Sequence, residues 1–565
     1  MLDTILTGCC HFVVRFCRLP FTRRPKSTNY HTYLIESLRT TTPLVFVPGV
    51  NGIVPQDDRL HGFFTVKSYM LHYARLTGMP HTPELDQNIE ELIKNLGLTD
   101  ETNTIVGDLF FKGLSGGQKR RLSIGLEALT SPINLYLDEP TSGLDSESAL
   151  KVMEFLKTYV RAAPGRRVIL TIHQPSTNIW QLIDNTVLLS KGRLMYQGSR
   201  SAMEEYFASV GTPTPSGWNP ADHYVTMVND DFRESVRTVA EWEACFQKWE
   251  DDQAKAEADG AEGGNARRGK SRTPSMLAAS GLQQIHTTRS SSVKVVLELT
   301  YRYFLNLWFN PGILATRIAM YTMLALMVGA LFWGIGDQDD YTSILSRSAI
   351  SFYCVAFFVF MSVAVLPFTV MERDIVDKEV LNRYYHPIMY QLSQGLTTIP
   401  SAALLAFITS LIVCAMLKLN DPFWYFLNMF LALMVAEALA QMISHIVPHF
   451  VIGMALLAGL FGFFMLMMGF MIVPSDFPLW LKWTNKIAFH TYSWRSFMVT
   501  EFRGETFSDG PFATGEEVLA TYEIEDVDRT NDVSPLQNFL VSFAYTFLLF
   551  ILHYVIPLLP FTSER

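Results

Sequence analysis

The spacing of hydrophobic residues changes along this chain at about residue 290. Before that point, short apolar runs such as Ile133–Leu137 and Val168–Ile172 alternate with mixed segments and end in polar residues. Runs of this length are typical of strands buried in a parallel sheet. After that point the apolar runs are several times longer. The pattern therefore predicts an α/β part followed by a membrane part.

Local patterns predict further elements of the first part. The helical spacing of apolar residues over Leu150–Val160 predicts a helix. Two short runs, Val187–Leu189 and Arg193–Tyr196, flank a Lys-Gly pair and predict a hairpin. Residues 1–45 carry no clear period and no motif, so no element is predicted there. Strands that alternate with helices indicate an α/β layer with a parallel sheet.

Six long apolar stretches follow in the second part. Each can supply the about 20 helical residues that cross the roughly 30 Å hydrocarbon core of a bilayer. Buried core helices of a large soluble protein are the alternative, but six such runs in succession favour membrane helices. Glu437 is the one charged residue within them. The stretches are Ile318–Ile335, Ser348–Met371, Pro387–Leu417, Pro422–Phe450, Val451–Ser475 and Val533–Ser563.

An even number of spans returns the C-terminus to the side of the membrane that holds the N-terminal part. We expect both termini to lie in the cytosol. The loop after the second stretch holds Arg373, Lys378 and Arg383, as expected for a cytosolic loop. The segment after the fifth stretch is also basic, with Lys482 and Lys486, which argues against placing it outside. The even helix count nevertheless puts that segment outside.

Composition narrows the functional classes. The chain has 565 residues, 49% of them hydrophobic, and a formal net charge of −9. The excess of negative charge argues against a nucleic-acid partner. The six cysteines have neither the spacing of zinc ligands nor that of a disulfide framework. Residues 251–292 contain almost no large apolar side chain, so we expect a disordered linker there.

The pentapeptide Leu-Ser-Gly-Gly-Gln at 114–118 is the most specific local signal. Its glycines let the backbone approach a phosphate closely, and its serine offers a hydroxyl. The residues that follow predict a helix, whose N-terminus would present N–H groups and a positive dipole to an anion. A polar turn before a helix is the alternative. We predict that Ser115, Gly116, Gly117 and Gln118 bind a nucleotide phosphate.

A pair of carboxylates at the end of the predicted strand Ile133–Leu137 is the second signal. Asp138 would hold Mg²⁺, which prefers oxygen ligands and retains much of its hydration. Glu139 would polarise the water that attacks a γ-phosphate. Such a pair alone is usually a solvated turn, but its position shortly after a phosphate-binding helix favours catalysis.

Three further positions complete the predicted site. Asp145 lies in a turn that would place it at a seam between subunits, Gln56 offers a ligand for Mg²⁺ or water, and His173 ends a strand. A lone histidine at a strand end is more often structural, but in this series we expect it to contact the γ-phosphate. The predicted catalytic residues are Glu139, His173 and Gln56, with Asp138 and Gln56 as magnesium ligands and Asp138 and Asp145 as nucleotide contacts.

In this order the motifs resemble the Q-loop, signature, Walker B, D-loop and H-loop of an ATP-binding-cassette domain. Residues 56–58, 114–125, 171–176 and 219–222 are similar to the G subfamily, as is the order of a nucleotide-binding domain before a membrane domain. The resemblance covers about residues 51–565. It implies ATP and Mg²⁺ as cofactors, and a second half-transporter as the partner in a homodimer or heterodimer.

One motif of the cassette is missing. A cassette needs the phosphate-binding P-loop GxxxxGK[ST] ahead of the Q-loop, and residues 1–55 contain none. The pattern occurs once, at 264–271, where it follows the Walker B segment and lies in the predicted linker, so we reject it. Two explanations stay open: the chain lacks a P-loop, or the first part of the sequence is incorrect.

The predicted fold class is an α/β P-loop-type nucleotide-binding domain, with its N-terminal part missing or atypical, followed by an all-α transmembrane domain of six helices. We expect an integral membrane protein with several spans, in the plasma membrane rather than in an internal membrane. The expected boundaries are 1–50 for an atypical N-terminal segment, 51–250 for a partial nucleotide-binding domain, 251–292 for the linker and 293–565 for the membrane domain.

The predicted function is ATP-driven export of lipids or hydrophobic small molecules by a dimer of half-transporters. The alternative is a hydrolysis-deficient partner that supplies its signature motif to a half-transporter with a P-loop. A soluble cassette ATPase of the DNA-maintenance type is a third interpretation, against which the six spans count. Membrane lipids and a hydrophobic substrate are therefore expected partners, and nucleic acid is not.

Overall fold

The computed structural model describes residues 11–16, 50–108, 112–229, 237–262, 291–310, 312–508 and 511–524, with positions 540, 541, 544, 545 and 548. The chain divides into two compact units. The first comprises Met1–Ser291 together with Lys378–Tyr384, and the second comprises Ser292–Asp377 and Tyr385–Arg565. The change in hydrophobic spacing near residue 290 coincides with the boundary between them.

A six-stranded sheet forms the centre of the first unit. Its strand order is β2-β3-β4-β1-β5-β6. Strands β2, β3 and β4 are parallel, and helices connect them because parallel neighbours need a long crossover. The strands are β1 His11–Phe16, β2 Asn51–Val54, β3 Asn134–Leu137, β4 Arg167–Ile172, β5 Asn185–Ser190 and β6 Arg193–Ser199.

The strands that the apolar runs predict are present. β3 and β4 cover two of these runs, and side chains such as Leu135 and Leu170 are fully buried. β5 and β6 form an antiparallel hairpin. Its turn contains Lys191 and Gly192, with φ of 45° and 73°. Two successive positive φ values match the twist of the flanking strands, which explains why the Lys-Gly pair marks the turn.

Strand β1 has no counterpart among the predicted elements, because residues 1–45 show no apolar period. It lies between β4 and β5 and pairs antiparallel with both, so that Phe12 is opposite Ile172 on one side and Leu188 on the other. Neighbouring strands distant in sequence thus satisfy its backbone groups, which no local pattern reveals. Because β1 is antiparallel to β4, the chain leaves β1 at the edge of the sheet where β4 begins.

Side-chain caps fix where several helices of the first unit begin. Thr65, Ser115 and Asp145 accept hydrogen bonds from backbone N–H groups that have no partner within the helix. The helices are α1 Val66–Leu76, α2 Pro83–Asn95, α3 Gly116–Leu129, α4 Ser146–Ala162, α5 Thr177–Leu182, α6 Arg200–Ser209, α7 Pro220–Val228 and α8 Val239–Glu262.

Helix α8 extends further than the composition indicates. Residues 251–262, which the composition predicts as linker, form its last part. Alanine, glutamate and lysine are strong helix formers, so a charged helix continues once Trp242 and Phe246 anchor its first turns in the core. The rest of the predicted linker, up to residue 290, lies outside the described residues.

The second unit is helical. Helix α13 packs against α14, α10 and α9. The core is apolar and includes Leu405, Met429 and Phe461. The helices are α9 Ser292–Phe309, α10 Ala315–Leu331, α11 Tyr341–Tyr353, α12 Leu366–Leu381, α13 Pro387–Leu417, α14 Pro422–Ile446, α15 Phe450–Met467, α16 Lys482–Ile487, α17 Phe489–Phe502 and α18 Gly515–Thr521.

Within the described residues, five helical segments are long and apolar enough to cross a membrane. They coincide with the first five predicted stretches, and the predicted fold class, an α/β domain followed by a helical membrane domain, is confirmed. The sixth predicted stretch, Val533–Ser563, lies outside the described residues except at a few positions. The five segments are Ala315–Asp337, Tyr341–Leu381, Pro387–Leu417, Pro422–Ile446 and Phe450–Met467.

The second span is not a uniform α-helix. A π-helical turn at Cys354–Phe358 and a 3₁₀ turn at Met361–Val365 separate α11 from α12. The hydroxyl of Tyr321 on α10 donates to the carbonyl of Phe358 at 2.8 Å. This contact gives a partner to a carbonyl in the irregular stretch, which a bilayer would otherwise leave unsatisfied. Such turns are points at which a helix changes direction.

Glu437, the acidic residue within the predicted spans, forms an ion pair with Arg317. Arg317 lies on α10 and Glu437 on α14, and their side chains are 5% and 3% exposed. A buried charge in a membrane segment is costly unless it is paired. The contact supports a structural role for Glu437, because it joins two helices within the bundle.

Candidate nucleotide-binding site

The ends of three parallel strands bring the predicted catalytic residues to one edge of the sheet. Gln56 follows β2, Asp138 and Glu139 follow β3, and His173 follows β4. Parallel strands end at the same edge, so residues that are distant in sequence lie close together there. The edge therefore gathers two carboxylates, an amide and an imidazole.

Gln56 and Glu139 are in direct contact. The side-chain nitrogen Nε2 of Gln56 donates to Oε2 of Glu139 at 2.9 Å. The backbone of Glu139 has a φ of 42°, in the left-handed region that a non-glycine residue adopts only when its surroundings hold it there. This conformation turns the chain after Asp138 and allows the Glu139 carboxylate to meet Gln56.

One oxygen of the Asp138 carboxylate is held by the protein. Its Oδ1 accepts a hydrogen bond from Oγ1 of Thr171 at 2.7 Å. The second oxygen remains for solvent or a metal. Mg²⁺ usually takes one or two protein ligands and keeps several waters, so the Asp138 carboxylate and the Gln56 amide fit this ion. Among the described residues, no group of three or more His, Cys, Asp or Glu side chains suits a metal, so nucleotide and water would complete the shell.

Arg120 connects this edge to the helix that follows the signature. Its buried guanidinium donates to the carbonyls of Pro55, Gln56 and Asp138 at 2.7, 3.0 and 2.5 Å, and to Oδ1 of Asp58 at 3.0 Å. A planar group with five donors suits such a set of fixed oxygens. The sequence analysis assigns Arg120 no role. The sequence does contain one signal for such a role, which is a positive charge near a helix N-terminus. The helix dipole disfavours a cation there unless specific partners compensate.

Asp58 is the acidic partner of Arg120. Burial raises the pKa of the Asp58 carboxyl above its ordinary value of 3.8, and the charge of Arg120 opposes that rise. The side chain of Arg120 is 2% exposed and that of Asp58 is 18% exposed. Because Arg120 holds both Gln56 and Asp58, the Q-loop is fixed to the end of β3.

The signature residues form the start of α3. The backbone N–H of Ser115 donates to Oε1 of Gln118 at 2.8 Å, and Nε2 of Gln118 donates to Oε1 of Glu101 at 2.7 Å. Ser115 and Gly116 are exposed. A Cβ on Gly116 would meet no atom within 4 Å. A phosphate therefore has room to approach the first N–H groups of this helix.

Asp145 lies close to the signature. A Cβ on Gly117 would lie 3.4 Å from Oγ of Ser148 and 3.6 Å from Cδ2 of Leu144. Asp145 caps α4, and the hydrogen bond from the backbone N–H of Ser148 lowers the pKa of its carboxyl. Asp145 is therefore an exposed anion beside the glycines of the signature.

The predicted residues thus fall into two groups. Gln56, Asp138 and Glu139 form one, with His173 exposed at the end of the adjacent strand. Asp145 and the signature loop form the other. Among the described residues, no hydrogen bond joins the signature loop to Asp138 or Glu139. Each group is open to solvent, so each can meet a ligand from outside the chain.

Family models match both units of the chain. A model described as ABC transporter matches residues 36–142. Two models described as ABC-2 type transporter match residues 173–253 and 294–502. The matched segments therefore include the signature, the Walker B strand and the first five spans.

Members of the ABC transporter G family resemble this chain over most of their own length. G family member 1 of Petunia hybrida is 31% identical and covers 89% of this chain and 79% of its own. G family member 11 of Arabidopsis thaliana is 31% identical and covers 89% and 74%. G family member 22 of Dictyostelium discoideum is 30% identical and covers 89% and 81%.

The cassette residues at the sheet edge, the apolar helices and these matches all indicate an ABC-type membrane transporter. The match to the ABC transporter model implies ATP binding, and the apolar helices make this an integral membrane protein. The chain therefore belongs to the ABC transporter G family, as a half-transporter that joins an ATP-hydrolysing nucleotide-binding domain to a membrane domain.

Proposed function

We propose that this protein exports lipids or other hydrophobic small molecules across the plasma membrane, as a dimer of half-transporters with cytosolic termini. The observation that carries the proposal is the contact of Gln56 with Glu139, at 2.9 Å, next to Asp138. It supports nucleotide hydrolysis, because Glu139 as a base and Gln56 as a water ligand would lie beside Asp138 as a magnesium ligand.

The residues at the sheet edge have separate roles in this proposal. Glu139 would accept a hydrogen bond from the attacking water, and Gln56 would fix the direction of its carboxylate. Asp138 and Gln56 would hold Mg²⁺, which neutralises charge on phosphate oxygens when it is bound. His173, at the end of the neighbouring strand, would contact the γ-phosphate.

The two groups of site residues support a dimer. Ser115 and Gly116 have room for a phosphate, but within the described residues they are not bonded to Asp138 or Glu139 of the same chain. A nucleotide between the Asp138 group of one chain and the Ser115 group of another would contact both. The second chain would be a copy of this one or a relative.

The segment Lys378–Tyr384 supports coupling of hydrolysis to transport. It comprises the last residues of α12 and the loop before α13, yet it belongs to the nucleotide-binding unit. Oδ1 of Asn382 accepts from the backbone N–H of Ile53 at 2.9 Å, and Nδ2 of Asn382 donates to Oε1 of Glu127 at 3.1 Å. The segment is thus bonded next to the Q-loop strand β2.

Glu127 receives this segment near the C-terminal end of α3. It is fully buried, its Oε1 lies 3.6 Å from Nζ of Lys378, and it accepts from the hydroxyls of Tyr73 and Tyr384. Because α3 begins at the signature and ends beside Glu127, closure of the signature on ATP would displace the segment. A shift between two states would then reach the spans on either side of it.

Helix α9 fits a different role. Large apolar side chains lie exposed along one face of it, at spacings of three or four residues. Such a face suits a helix that lies in the membrane interface and anchors the domain. The exposed residues are Val293, Leu297, Tyr301, Phe304 and Trp308.

The membrane unit offers surfaces for an apolar substrate. Phe357 of the second span and Phe463 of the fifth are exposed, at 42% and 39%. Aromatic side chains open to their surroundings suit flat apolar molecules or lipids. They support the proposed substrate class.

A second candidate function is that of a hydrolysis-deficient partner. No P-loop pattern lies between the first residue and Gln56, and β1 runs antiparallel to β4. The chain therefore leaves β1 at the edge of the sheet opposite Asp138. In this case Ser115 and Gly116 would close on ATP held by the P-loop of a relative.

ATP hydrolysis by the purified full-length protein in lipid nanodiscs tests the two candidates. Hydrolysis by the chain alone, abolished by Glu139→Gln, supports the transporter that uses its own Glu139. The hydrolysis-deficient partner is supported if hydrolysis occurs only after co-expression with a P-loop-bearing relative. In that case Ser115→Arg in this chain should abolish hydrolysis, and Glu139→Gln in this chain should leave it unaffected. If neither preparation binds or hydrolyses ATP, both candidate functions are contradicted.

A further inference from the structure

We infer that Thr171 is a positioning residue for ATP hydrolysis, because its hydroxyl holds both acidic residues that follow β3. The inference rests on the proposed function, since it assigns a role within the same site. Thr171 lies on β4 and is 5% exposed. The parallel register sets Leu137 opposite Leu170, so Thr171 lies directly beside the end of β3.

A single hydroxyl makes two contacts with the site. Oγ1 of Thr171 donates to Oδ1 of Asp138 at 2.7 Å. The same oxygen accepts from the backbone N–H of Glu139 at 2.8 Å. A hydroxyl has one proton and two acceptor positions, so the one proton goes to Asp138 and a lone pair receives Glu139. Both hydrogen bonds are therefore compatible at the same time.

The contact with Asp138 determines which carboxylate oxygen faces a metal. With Oδ1 engaged by Thr171, Oδ2 is the oxygen available for Mg²⁺ or its water. Groups that hold a metal ligand in place set its direction, and their removal typically lowers metal affinity by about 10- to 100-fold. Thr171 would therefore contribute to metal binding without touching the metal.

The contact with Glu139 holds the backbone in its left-handed conformation. The φ of Glu139 is 42°, and the N–H group that Thr171 accepts belongs to this residue. Without that acceptor the backbone would be free to relax toward a more favourable region. The carboxylate of Glu139 would then move away from Gln56 and from the water that it polarises.

The sheet provides a matched control. Thr186 on β5 is 1% exposed, and its hydroxyl has no hydrogen-bond partner among the described residues. Thr186→Val and Thr171→Val make the same change of shape in the same sheet. Only the second removes hydrogen bonds to the acidic pair, so the difference between them isolates the role of the Thr171 hydroxyl.

The test uses the full-length protein in nanodiscs. In a Glu139→Gln background, the Mn²⁺ concentration needed for half-maximal ATP binding is measured without turnover. We expect Thr171→Val to raise this Mn²⁺ concentration by about 10-fold or more. Thr171→Ser and Thr186→Val should change it by less than about twofold. With Glu139 present, we expect Thr171→Val to lower kcat by about 10-fold while KM for ATP changes by less than about threefold.

Thermal unfolding is measured for every variant, and Thr171→Ala replaces Thr171→Val if the latter does not fold. An unchanged Mn²⁺ requirement and kcat in the variant without the hydroxyl overturn the inference. So does an equal loss in Thr171→Ser, since that variant keeps the hydroxyl. If the chain with Thr171 intact binds no Mn²⁺–ATP, the proposed function fails together with this inference; in the other cases the proposed function stands.

Discussion

Arg120 and Glu127 are buried charged residues two turns apart on α3, and they contact different parts of the unit. Arg120 holds the Q-loop and the end of β3, whereas Glu127 holds the segment Lys378–Tyr384. Removing one partner of a buried charge leaves the other uncompensated, which is usually more costly than the contact itself is worth. Substitutions at these residues should therefore have large effects.

Arg120→Lys should lower the free energy of unfolding of the nucleotide-binding unit by about 2–4 kcal/mol, because a single ammonium cannot reach the carbonyls that the planar guanidinium joins. Chemical unfolding of the full-length protein in detergent, followed by tryptophan fluorescence, measures the change. Arg161→Lys, at an exposed position on α4, is the control and should change it by less than about 0.5 kcal/mol. Equal effects of the two substitutions would contradict the role of the Arg120 contacts.

Glu127→Gln should flatten the dependence of stability on pH. Burial raises the pKa of the Glu127 carboxyl above its ordinary value of 4.5, and the charge of Lys378 only partly offsets this rise. A carboxyl with a raised pKa in the folded protein stabilises most below its ordinary pKa, and this contribution is lost as the pH rises through the raised value. Glutamine does not titrate, so that loss should disappear.

The midpoint of thermal unfolding, measured from pH 4.5 upward to 8, checks this expectation. The exposed residue Glu147, whose carboxylate pairs with Lys151 one turn along the same helix, gives the control variant Glu147→Gln. Identical slopes for the unsubstituted protein and Glu127→Gln over this range would show that Glu127 is not the group responsible.

For single residues, the sequence identifies those that belong to motifs. It misses those whose contacts depend on which residues of neighbouring strands are paired. Asp138, Glu139 and Gln56 belong to patterns that occur in a fixed order, and the structure gathers them. Thr171 lies within residues 171–176, which resemble the G subfamily, but its two partners follow only from the pairing of β3 with β4. The carbonyl partners of Arg120 likewise belong to separate segments of the chain.

Helix α3 is closely packed in the middle and open at its start. A Cβ on Gly125 would lie 2.4 Å from Cδ1 of Leu96 and 3.0 Å from Cε of Met70. A Cβ on Gly116 would meet nothing within 4 Å. The same substitution should therefore act on stability at one position and on nucleotide binding at the other.

Gly125→Val should lower the free energy of unfolding by about 1–3 kcal/mol, because an overpacked core must displace its neighbours. Gly116→Val should change the free energy of unfolding by less than about 0.5 kcal/mol, but it should weaken binding of ATP at the signature. Chemical unfolding and titration with a fluorescent ATP analogue measure the two quantities. Loss of stability in Gly116→Val with none in Gly125→Val would contradict this account of α3.

The ion pair between α10 and α14 leads to a prediction about how these two helices stabilise each other. Arg317→Met and Glu437→Met should each destabilise the membrane unit by about 3–5 kcal/mol, because each leaves a buried charge without its partner. The double substitution should recover most of this loss, since two methionines of similar volume pack without charge. Thermal unfolding in detergent of the four proteins measures the coupling; additive losses would show that the residues act independently.

The elements themselves follow from the sequence where their signal is local. The long spans and the β5–β6 hairpin have such signals, in their apolar length and in the turn residues Lys191 and Gly192. Strand β1 has none, because its partners are more than a hundred residues away along the chain. The composition of residues 251–262 indicates a linker, whereas helix-forming residues continue α8 there.

For the whole molecule, the change in hydrophobic spacing near residue 290 was sufficient to predict two units of different class. The position of Lys378–Tyr384 within the first unit was not predictable in the same way. Its residues end α12 and form the loop after it, and contacts such as those with Ile53 and Glu127 join them to the first unit. Charge counts also leave the orientation of the membrane unit open, because the loops on both sides are basic.

A cysteine at position 508 should settle the orientation. In a chain whose six natural cysteines are replaced, Ser508→Cys should react with a membrane-impermeant maleimide added to intact cells, because an odd number of spans precedes it. Lys151→Cys, exposed on the nucleotide-binding unit, should react only after the cells are permeabilised. Labelling of position 151 in intact cells, or protection of position 508, would reverse the proposed topology.

The two irregular turns in the second span have a mechanical consequence. π, 3₁₀ and α turns contain different numbers of residues, so exchange among them rotates everything beyond that point about the helix axis without breaking the helix. A twist imposed on α12, which runs into Lys378–Tyr384, would be taken up at Cys354–Val365. The half of the span that leads into Lys378–Tyr384 would then rotate while α11 stays still, so the two ends of one span would move independently.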